Sequence, residues 1–468
     1  MKRLLCLFLA LLMIVFVAVS CDSNENKEDF VNTTDAALGD DTAVGTEAIS
    51  ETETATEKET ETEEVTESVT LGAEYDLSNF KIVYSGTQNA TLANSLKTKI
   101  KSATGASPSI VKATDTNEVE FELIIGNTSR DISKLCFDLA ESDYITSTGI
   151  LCDNGKIQIL GIDKLTIANS IDYFVENVLK QGSTTISILA DDIYVKEMTH
   201  EELSIPKRLD DTSIRLVTNN IAQQALNSSP GRIEGLTAAY KFYDADVCTF
   251  QEVDKGWRTD DMLYGTMAKM GYTLVEGTKG KMYSCPIFYK TERFNLIAGE
   301  NVLFDLSGIA LSGEARAYAW ACLEDKTTGK RVIVMNTHFI AKAGADKEEH
   351  RQVCADELVE VSEQLKTKYN ADGVTMSGDF NCNPSSNPYK TMASALNSAR
   401  EHCPSKVNMG YKTSCGFGKA PDKAEGEAID HVFYSKTGIT AKHFETIVSK
   451  YSYAYADHVP VVFDFELN

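Results

Sequence analysis

The sequence predicts an α/β protein in which sheets pack between layers of helix, with a smaller α/β unit preceding the main domain. Three observations carry that prediction. From Ser213 onward, short runs that are apolar on both faces alternate with segments of helical period, as expected for strands covered on both sides. Residues 73 to 203 mix strand and helix patterns in the same way. Polar side chains recur where the apolar runs of the second region end. At 468 residues and 43% hydrophobic content, the chain has material for two or three domains.

In the first unit (73–205), Phe80-Lys81-Ile82-Val83-Tyr84 reads as a strand. A helix follows over 90–103, with Leu92, Leu96 and Ile100 on one face. Residues 121–125 form a second strand. Residues 149–152 and 156–160 pair as a hairpin across Asp153-Asn154-Gly155, and 165–179 is an amphipathic helix with Ile167, Ile171, Phe174 and Val178 on one face. No cluster of charge or His lies here. The segment Glu122 to Arg130 resembles an element of the accessory N-terminal domain of some secreted carbohydrate-active enzymes; a spacer or scaffold without its own activity is expected ahead of a binding role. Pro206-Lys207-Arg208 marks the junction.

In the second region (210–468), strands are expected at 214–217, 247–250, 286–289, 317–323, 331–337, 373–376, 429–434 and 459–465. Helices are expected at 232–242, 348–367 and 388–396.

The first 20 residues have a different purpose. Lys2 and Arg3 precede an apolar run from Leu4 to Val19, which reads as a secretory signal and is too short for a comfortable membrane span. Ala18-Val19-Ser20-Cys21 resembles the lipobox of bacterial lipoproteins, apart from Ala18 where Leu is usual. The resemblance implies a lipid on Cys21 and a position on the extracellular face of the cell membrane. Residues 21–72 then run largely through Thr, Glu, Ser, Ala and Asp, and the acidic repeats at 51–54 and 57–64 contain no aromatics. Like charges repel there and little apolar surface can be buried, so a disordered tether is expected.

That tether distorts the overall charge. About 15 of the 24 net negative charges lie between Asp22 and Glu74, and residues 210–468 carry only about −6. No basic patch of the kind expected in a tight non-specific DNA binder is present. Of the 11 Cys, the nine beyond Cys6 and Cys21 show neither zinc spacing nor a disulfide framework. Cys403 and Cys415 flank one loop and form a candidate pair, while Cys248 and Cys322 sit inside strand patterns as core residues.

The chemistry concentrates at strand ends. Asn220 follows the first strand of the second region, and Gln251-Glu252 follows the next. Asn336-Thr337-His338 and Gly378-Asp379-Phe380-Asn381 end two more. Ile429-Asp430-His431 and Asp457-His458-Val459-Pro460 open the last two. Burying so many carboxylates, amides and imidazoles at sheet edges is costly without shared partners, and a metal-and-phosphate site would supply them.

Six motifs in this order resemble the endonuclease/exonuclease/phosphatase (deoxyribonuclease I-like) superfamily over about 250 residues. The resemblance implies a four-layered α/β sandwich, two β-sheets packed together and flanked by helices. It implies Mg²⁺ (or Mn²⁺) held by Asn220, Glu252 and Asp457, since hard cations prefer oxygen ligands. Asp379 and Asn381 then position the attacking water and the phosphate. Asp430 orients His458, and His338 lies near the leaving oxygen. Arg316 corresponds to a phosphate-facing Arg, and Tyr283 to an active-site Tyr of some members. His431 is expected to be structural.

The implied activity is extracellular, metal-dependent hydrolysis of a phosphodiester or phosphomonoester. A secreted nuclease acting on DNA or RNA, and an inactive binding protein of the same fold, are the alternatives. His338 stands where apurinic endonucleases have Tyr. Asn383 stands where inositol 5-phosphatases carry Arg, and Ile429-Asp430-His431 replaces their Cys-Asp-Arg; these branches are therefore disfavoured.

Overall fold

The computed structural model describes residues 73–468 except 87–88, 140–146, 154, 162–163, 189–192, 198, 223–231, 255, 259–261 and 279–284. The signal sequence, Cys21, the tether and Tyr283 lie outside the described residues.

The N-terminal unit contains β1 (Ala73–Asp76), β2 (Lys81–Tyr84), β3 (Ser109–Lys112), β4 (Glu122–Ile125), β5 (Ser147–Asp153), β6 (Lys156–Ile159), β7 (Thr185–Ile188) and β8 (Ile193–Glu197). Six of them form a sheet in the order β3-β2-β4-β6-β5-β8, and β1 pairs with β7. Helices Asn89–Thr104 and Lys164–Asn177 bury the apolar stripes expected of them, including Leu96, Ile100, Ile171 and Phe174. Gly155, at φ 82°, makes the β5–β6 turn in a conformation that L side chains resist. The Glu122–Arg130 segment turns out to be architectural. Both side chains are fully buried, and the guanidinium contacts Glu122 Oε1 at 3.0 Å, Glu122 Oε2 at 3.1 Å, the Thr114 carbonyl and Asn117 Oδ1.

The C-terminal region contains β9 (Ile214–Asn220), β10 (Val247–Gln251), β11 (Tyr272–Leu274), β12 (Ile287–Lys290), β13 (Phe294–Leu303), β14 (Ala317–Asp325) and β15 (Arg331–His338). It continues with β16 (Gly373–Asp379), β17 (Asn397–Ser398), β18 (Ser405–Val407), β19 (Asp430–Tyr434), β20 (Ile439–Thr446) and β21 (Val461–Leu467). One sheet runs β11-β12-β10-β9-β21-β20-β18 and the other β13-β14-β15-β16-β19-β17. Leu216, Val247 and Phe463 from the first sheet meet Ala319, Val334 and Val432 from the second, so the two are packed face to face. Helices Arg232–Tyr243 and Lys450–Tyr453 cover the outer face of the first sheet through Leu236, Tyr240 and Tyr451. Helices Ala345–Lys368 and Asn387–Ala395 cover the second through Cys354, Leu358, Tyr389 and Met392. This is the four-layered sandwich, and each strand expected from a continuous apolar run is present.

Strands β13 and β20 have no such run. β13 is an edge strand, mostly exposed, with a register shift between Leu296 and Ala298. β20 carries Lys442 and His443 at a similar irregularity between Ala441 and His443, which breaks the alternation. The candidate Cys403–Cys415 bridge does not form. Both thiols are free, Cys403 being buried in the inter-sheet core while Cys415 lies in a partly exposed loop against Asp457.

At one end of the sandwich every buried charge is matched. Arg215 Nε and Nη2 donate to Asp464 Oδ1 and Oδ2, both at 2.8 Å, and its remaining N–H groups reach the carbonyls of Pro206, Lys207 and Tyr243. Arg293 bonds Asp246 at 2.8 Å and Asp325 at 3.3 Å, and Arg208 joins the same Asp246. The opposite end holds the polar motifs.

Candidate active site

The register of the strands gathers the motifs at one sheet edge. In the parallel pair β9/β10, Asn220 lies opposite Gln251, the last residue of β10. In the parallel pair β15/β16, His338 lies opposite Asp379 at their shared C-terminal end. β19 runs antiparallel to β16, so its first residue, Asp430, also lies opposite Asp379. β21 runs antiparallel to β9, with Val461 opposite Thr218, so the preceding Asp457-His458 segment arrives at the same end. Ligand and reaction sites of α/β folds favour such carboxyl edges.

Close approach of β15 and β16 depends on Gly378. It sits opposite Thr337 at φ 144°, and a Cβ there would collide with the Thr337 carbonyl. With glycine, the His338 ring Nε2 comes to 3.5 Å from Asp379 Oδ2.

Polar side chains replace apolar ones between the sheets as this end is approached. Thr249 and Ser377 hydroxyls meet at 2.9 Å across the interface. Gln251 Nε2 donates to Asn336 Oδ1 at 2.7 Å, and Asn336 Nδ2 donates to the Phe250 and Pro286 carbonyls. Asn220 Nδ2 then donates to Glu252 Oε1 at 3.2 Å and to Asp379 Oδ2 at 3.0 Å, bridging two carboxylates from different sheets. Glu252 adopts φ 60°, a strained value for a residue with a side chain.

Asp379 is the hub. Its Oδ1 accepts the Asn381 backbone N–H at 2.9 Å, and its Oδ2 faces Asn220, His338 and, at 3.8 Å, His458 Nε2. Asn381 takes φ 48°, which asparagine tolerates better than most residues, and its Nδ2 donates to the Phe339 carbonyl. His458 Nδ1 lies 2.8 Å from Asp430 Oδ2. Burial disfavours a charged imidazole, but Asp430, Asp379 and Asp457 outweigh it and raise the His458 pKa. Burial, with Asp379 adding to it, also lifts the Asp430 carboxyl. Both shifts favour keeping a proton within this pair.

Asp379, Asp430 and His458 offer ligand atoms within 4.8 Å of one another. The expected set of Asn220, Glu252 and Asp457 borders this cluster: Asn220 touches Glu252 and Asp379, and Asp457 acts electrostatically on His458. Carboxylate and amide oxygens are the donors a hard divalent cation takes. The Asn220 NH₂ group already draws Glu252 and Asp379 together as a partial positive charge, so the residues fit a cation. Since His458 Nδ1 and Asp430 Oδ2 are committed to each other, Glu252 and Asp379 are the better placed ligands.

Arg316 precedes β14, half-buried, with its Nη1 donating to the Ala315 carbonyl. The buried Cys285 thiol feels Arg316, Asp379 and Glu252 at once, which puts Arg316 on the rim of the same end. His431 is not brought in. It is buried among Phe380, Tyr389 and Phe433 and bonds the Cys382 carbonyl at 2.9 Å, and burial drives its pKa down to about 3.

Thr413 was not foreseen. It is fully buried, its Oγ1 accepts the backbone N–H groups of Ile429 and Asp430 at 3.1 and 3.0 Å, and its carbonyl accepts Val459 N–H at 2.8 Å. Ser414 forms a bridge to His458. One loop thereby fixes both members of the His458–Asp430 pair, yet Lys412-Thr413-Ser414-Cys415 carries no pattern that would single it out.

The endonuclease/exonuclease/phosphatase family pattern matches residues 220–450, the stretch that contains nearly all of this site. This region belongs to that family. Members of the family act as phosphatases or nucleases and commonly use divalent metals. Carbon catabolite repressor protein 4 homolog 3 of Arabidopsis thaliana is 26% identical over 159 residues, 34% of this chain and 34% of that protein. The CCR4-Not complex 3'-5'-exoribonuclease subunit Ccr4 of Yarrowia lipolytica is 32% identical over 124 residues, 21% of this chain and 17% of that protein. The chain thus spans about a third or less of these relatives' length. Among solved structures, an endonuclease/exonuclease/phosphatase from Bacteroides vulgatus is 20% identical, with a TM-score of 0.46, covering 55% of this chain and all of that one. The human Nocturnin catalytic domain with bound sulfate is 22% identical, with a TM-score of 0.43, covering 55% and 95%. The mannosyl-6-phosphatase of Bacteroides thetaiotaomicron is 17% identical, with a TM-score of 0.42, covering 54% and 99%.

Proposed function

We propose that the chain is a divalent-metal-dependent phosphoesterase, using Mg²⁺ or Mn²⁺, carried on the outer face of the cell by a lipid on Cys21. The observation that carries the catalytic reading is the meeting of two imidazoles and the Asn220 amide on one buried carboxylate, Asp379, from positions more than 200 residues apart.

When bound by Glu252 and Asp379, with Asn220 and Asp457 alongside, a divalent cation supplies charge neutralisation at the phosphate oxygens. The chain's own groups do the rest. Asp379 and the Asn381 side chain orient the attacking water, and the Asp379 carboxylate accepts the proton that the water loses as its oxygen bonds to phosphorus. Protonated His458, held by Asp430, donates Nε2–H toward the phosphoryl oxygen, where negative charge grows in the transition state. His338 stands on the other side of Asp379, placed to deliver a proton to the departing oxygen as the P–O bond breaks. Arg316 adds positive charge from the rim.

The test is hydrolysis of bis-p-nitrophenyl phosphate with and without Mg²⁺ or Mn²⁺ after chelation. Activity is expected only with metal, and His458→Ala should lower it by about 10²–10⁴-fold. Equal rates for wild type and variant would discard the assignment. For the anchor, Cys21→Ala should release the protein from membranes into the medium; unchanged partition would remove the lipid from the account.

A further inference from the structure

A cavity of about 220 Å³ opens beside Asn381, adjoining the cluster that performs the chemistry. It is lined by Lys342, Ala343, Glu348, Arg351, Asn381, Cys382, Asn383 and Ser386, drawn from the loops that follow His338 and Asp379 and from the first turns of helix Ala345–Lys368.

The walls are fixed in place. Arg351 is 5% exposed, and its Nη1 donates to the carbonyls of Ile340 and Lys342 at 2.9 and 3.0 Å. Its Nε and Nη2 hold Glu348 Oε2 at 3.3 and 2.9 Å. Asn381 Nδ2 ties the same loop through the Phe339 carbonyl at 3.1 Å. These bonds keep Lys342 at φ 75°, a conformation that non-glycine residues seldom adopt.

What faces the space is a mixture of donors and acceptors. Asn383 Oδ1 is engaged by Ser385, which leaves its NH₂ group as a donor alongside the exposed Lys342 ammonium. Asn381 and Glu348, also in the lining, carry acceptor oxygens. A hydroxyl both donates and accepts, so a ring bearing several hydroxyls uses such a lining in full. A nucleobase prefers an aromatic platform, and this cavity has none. Its volume lies below the roughly 300–1,000 Å³ of sites that enclose larger ligands. It has room for one six-membered polyol ring.

Building on the phosphoesterase reading, we infer that this cavity seats the alcohol portion of the substrate, and that this portion is a compact polyol such as a monosaccharide. Lys342 and Asn383 are its specificity-determining residues.

The test compares a hexose 6-phosphate, p-nitrophenyl phosphate and a dinucleotide as substrates of the metal-loaded full chain and of Lys342→Ala and Asn383→Ala. Each substitution is expected to raise the KM for the hexose phosphate about tenfold, as for a lost hydrogen bond to a charged or polar partner, while p-nitrophenyl phosphate changes less than about twofold. Calorimetric titration of His458→Ala with the hexose phosphate gives a second readout that requires no turnover. If p-nitrophenyl phosphate is cleaved but the hexose phosphate is neither bound nor cleaved, or if both variants affect the two substrates equally, the inference is overturned and the phosphoesterase reading survives. If no ester is cleaved but the sugar phosphate binds and Lys342→Ala abolishes that binding, the cavity assignment stands and the catalytic reading falls.

Discussion

At one end of the catalytic sandwich Arg208, Arg215 and Arg293 enclose Asp246, Asp325 and Asp464, whereas at the other Asp379, Asp430, Asp457 and Glu252 meet two imidazoles and an amide. Strand β9 itself carries Arg215 near its start and Asn220 at its end. The N-terminal unit repeats the compensated arrangement. Burial favours a neutral Glu122, but hydrogen bonds from Arg130 and Val119 outweigh it and hold the carboxyl below its ordinary value. At the active-site end burial wins instead, and Asp430 is raised. Compensated charge ties elements together; carboxylates left in excess create a demand for an external cation.

Removing one partner of the compensated pair should have the largest effect on stability. Arg215→Ala strands Asp464 and several carbonyls, and a loss of about 3–5 kcal/mol is expected in denaturant unfolding, with unchanged activity per folded molecule. If it behaves as a surface substitution, the contrast between the two ends is broken.

Asp379→Asn should act in the opposite direction. Activity should fall at least about 100-fold, while metal-free stability rises on the order of 1 kcal/mol because a crowded buried charge has gone. Thermal midpoints with and without Mn²⁺ sharpen the point, since wild type should gain more from the metal than the variant.

A smaller effect is expected at the loop that aligns the proton-carrying pair. Thr413→Val removes the acceptor for two backbone N–H groups and should cost about tenfold in kcat. Thr413→Ser keeps the hydroxyl and should restore most of it. Equal damage by both would mean that the methyl group, and not the hydroxyl, is what matters.

Smallest is the prediction for His431. Its folded pKa lies below the unfolded value of about 6.5, so the stability it contributes is present above that value and is lost as pH falls toward 3. Its NMR ring signals should therefore stay neutral between pH 8 and 4, whereas those of metal-free His458 should remain protonated through pH 7. Ordinary titration of His431 would remove it from the hydrophobic core.

Much of this was readable from sequence because strands buried on both faces leave continuous apolar runs, such as Val332 to Met335, and because site residues punctuate their ends. Asn220, His338, Asp379, Asp430 and His458 could all be marked in that way. Strands β13 and β20 escaped because edge exposure and register shifts erase the periodicity. Thr413 and the Lys342–Asn383 cavity escaped for another reason: their roles come from backbone geometry in loops, where side-chain type says little about what a group will face. The unpaired Cys403 and Cys415 show the limit of proximity along the chain, because the fold carries one thiol into the core and leaves the other in a loop.

Gly378 has a reach beyond its own strand. The spacing of the reacting groups is set there by a missing methyl, not by any polar side chain. An alanine would wedge the two central strands apart and loosen the His338–Asp379 contact while leaving all the acids and imidazoles in the sequence. A homologue that retains every chemical group but carries a bulkier residue at this position should therefore be a poor catalyst, which no inventory of its reactive side chains would reveal.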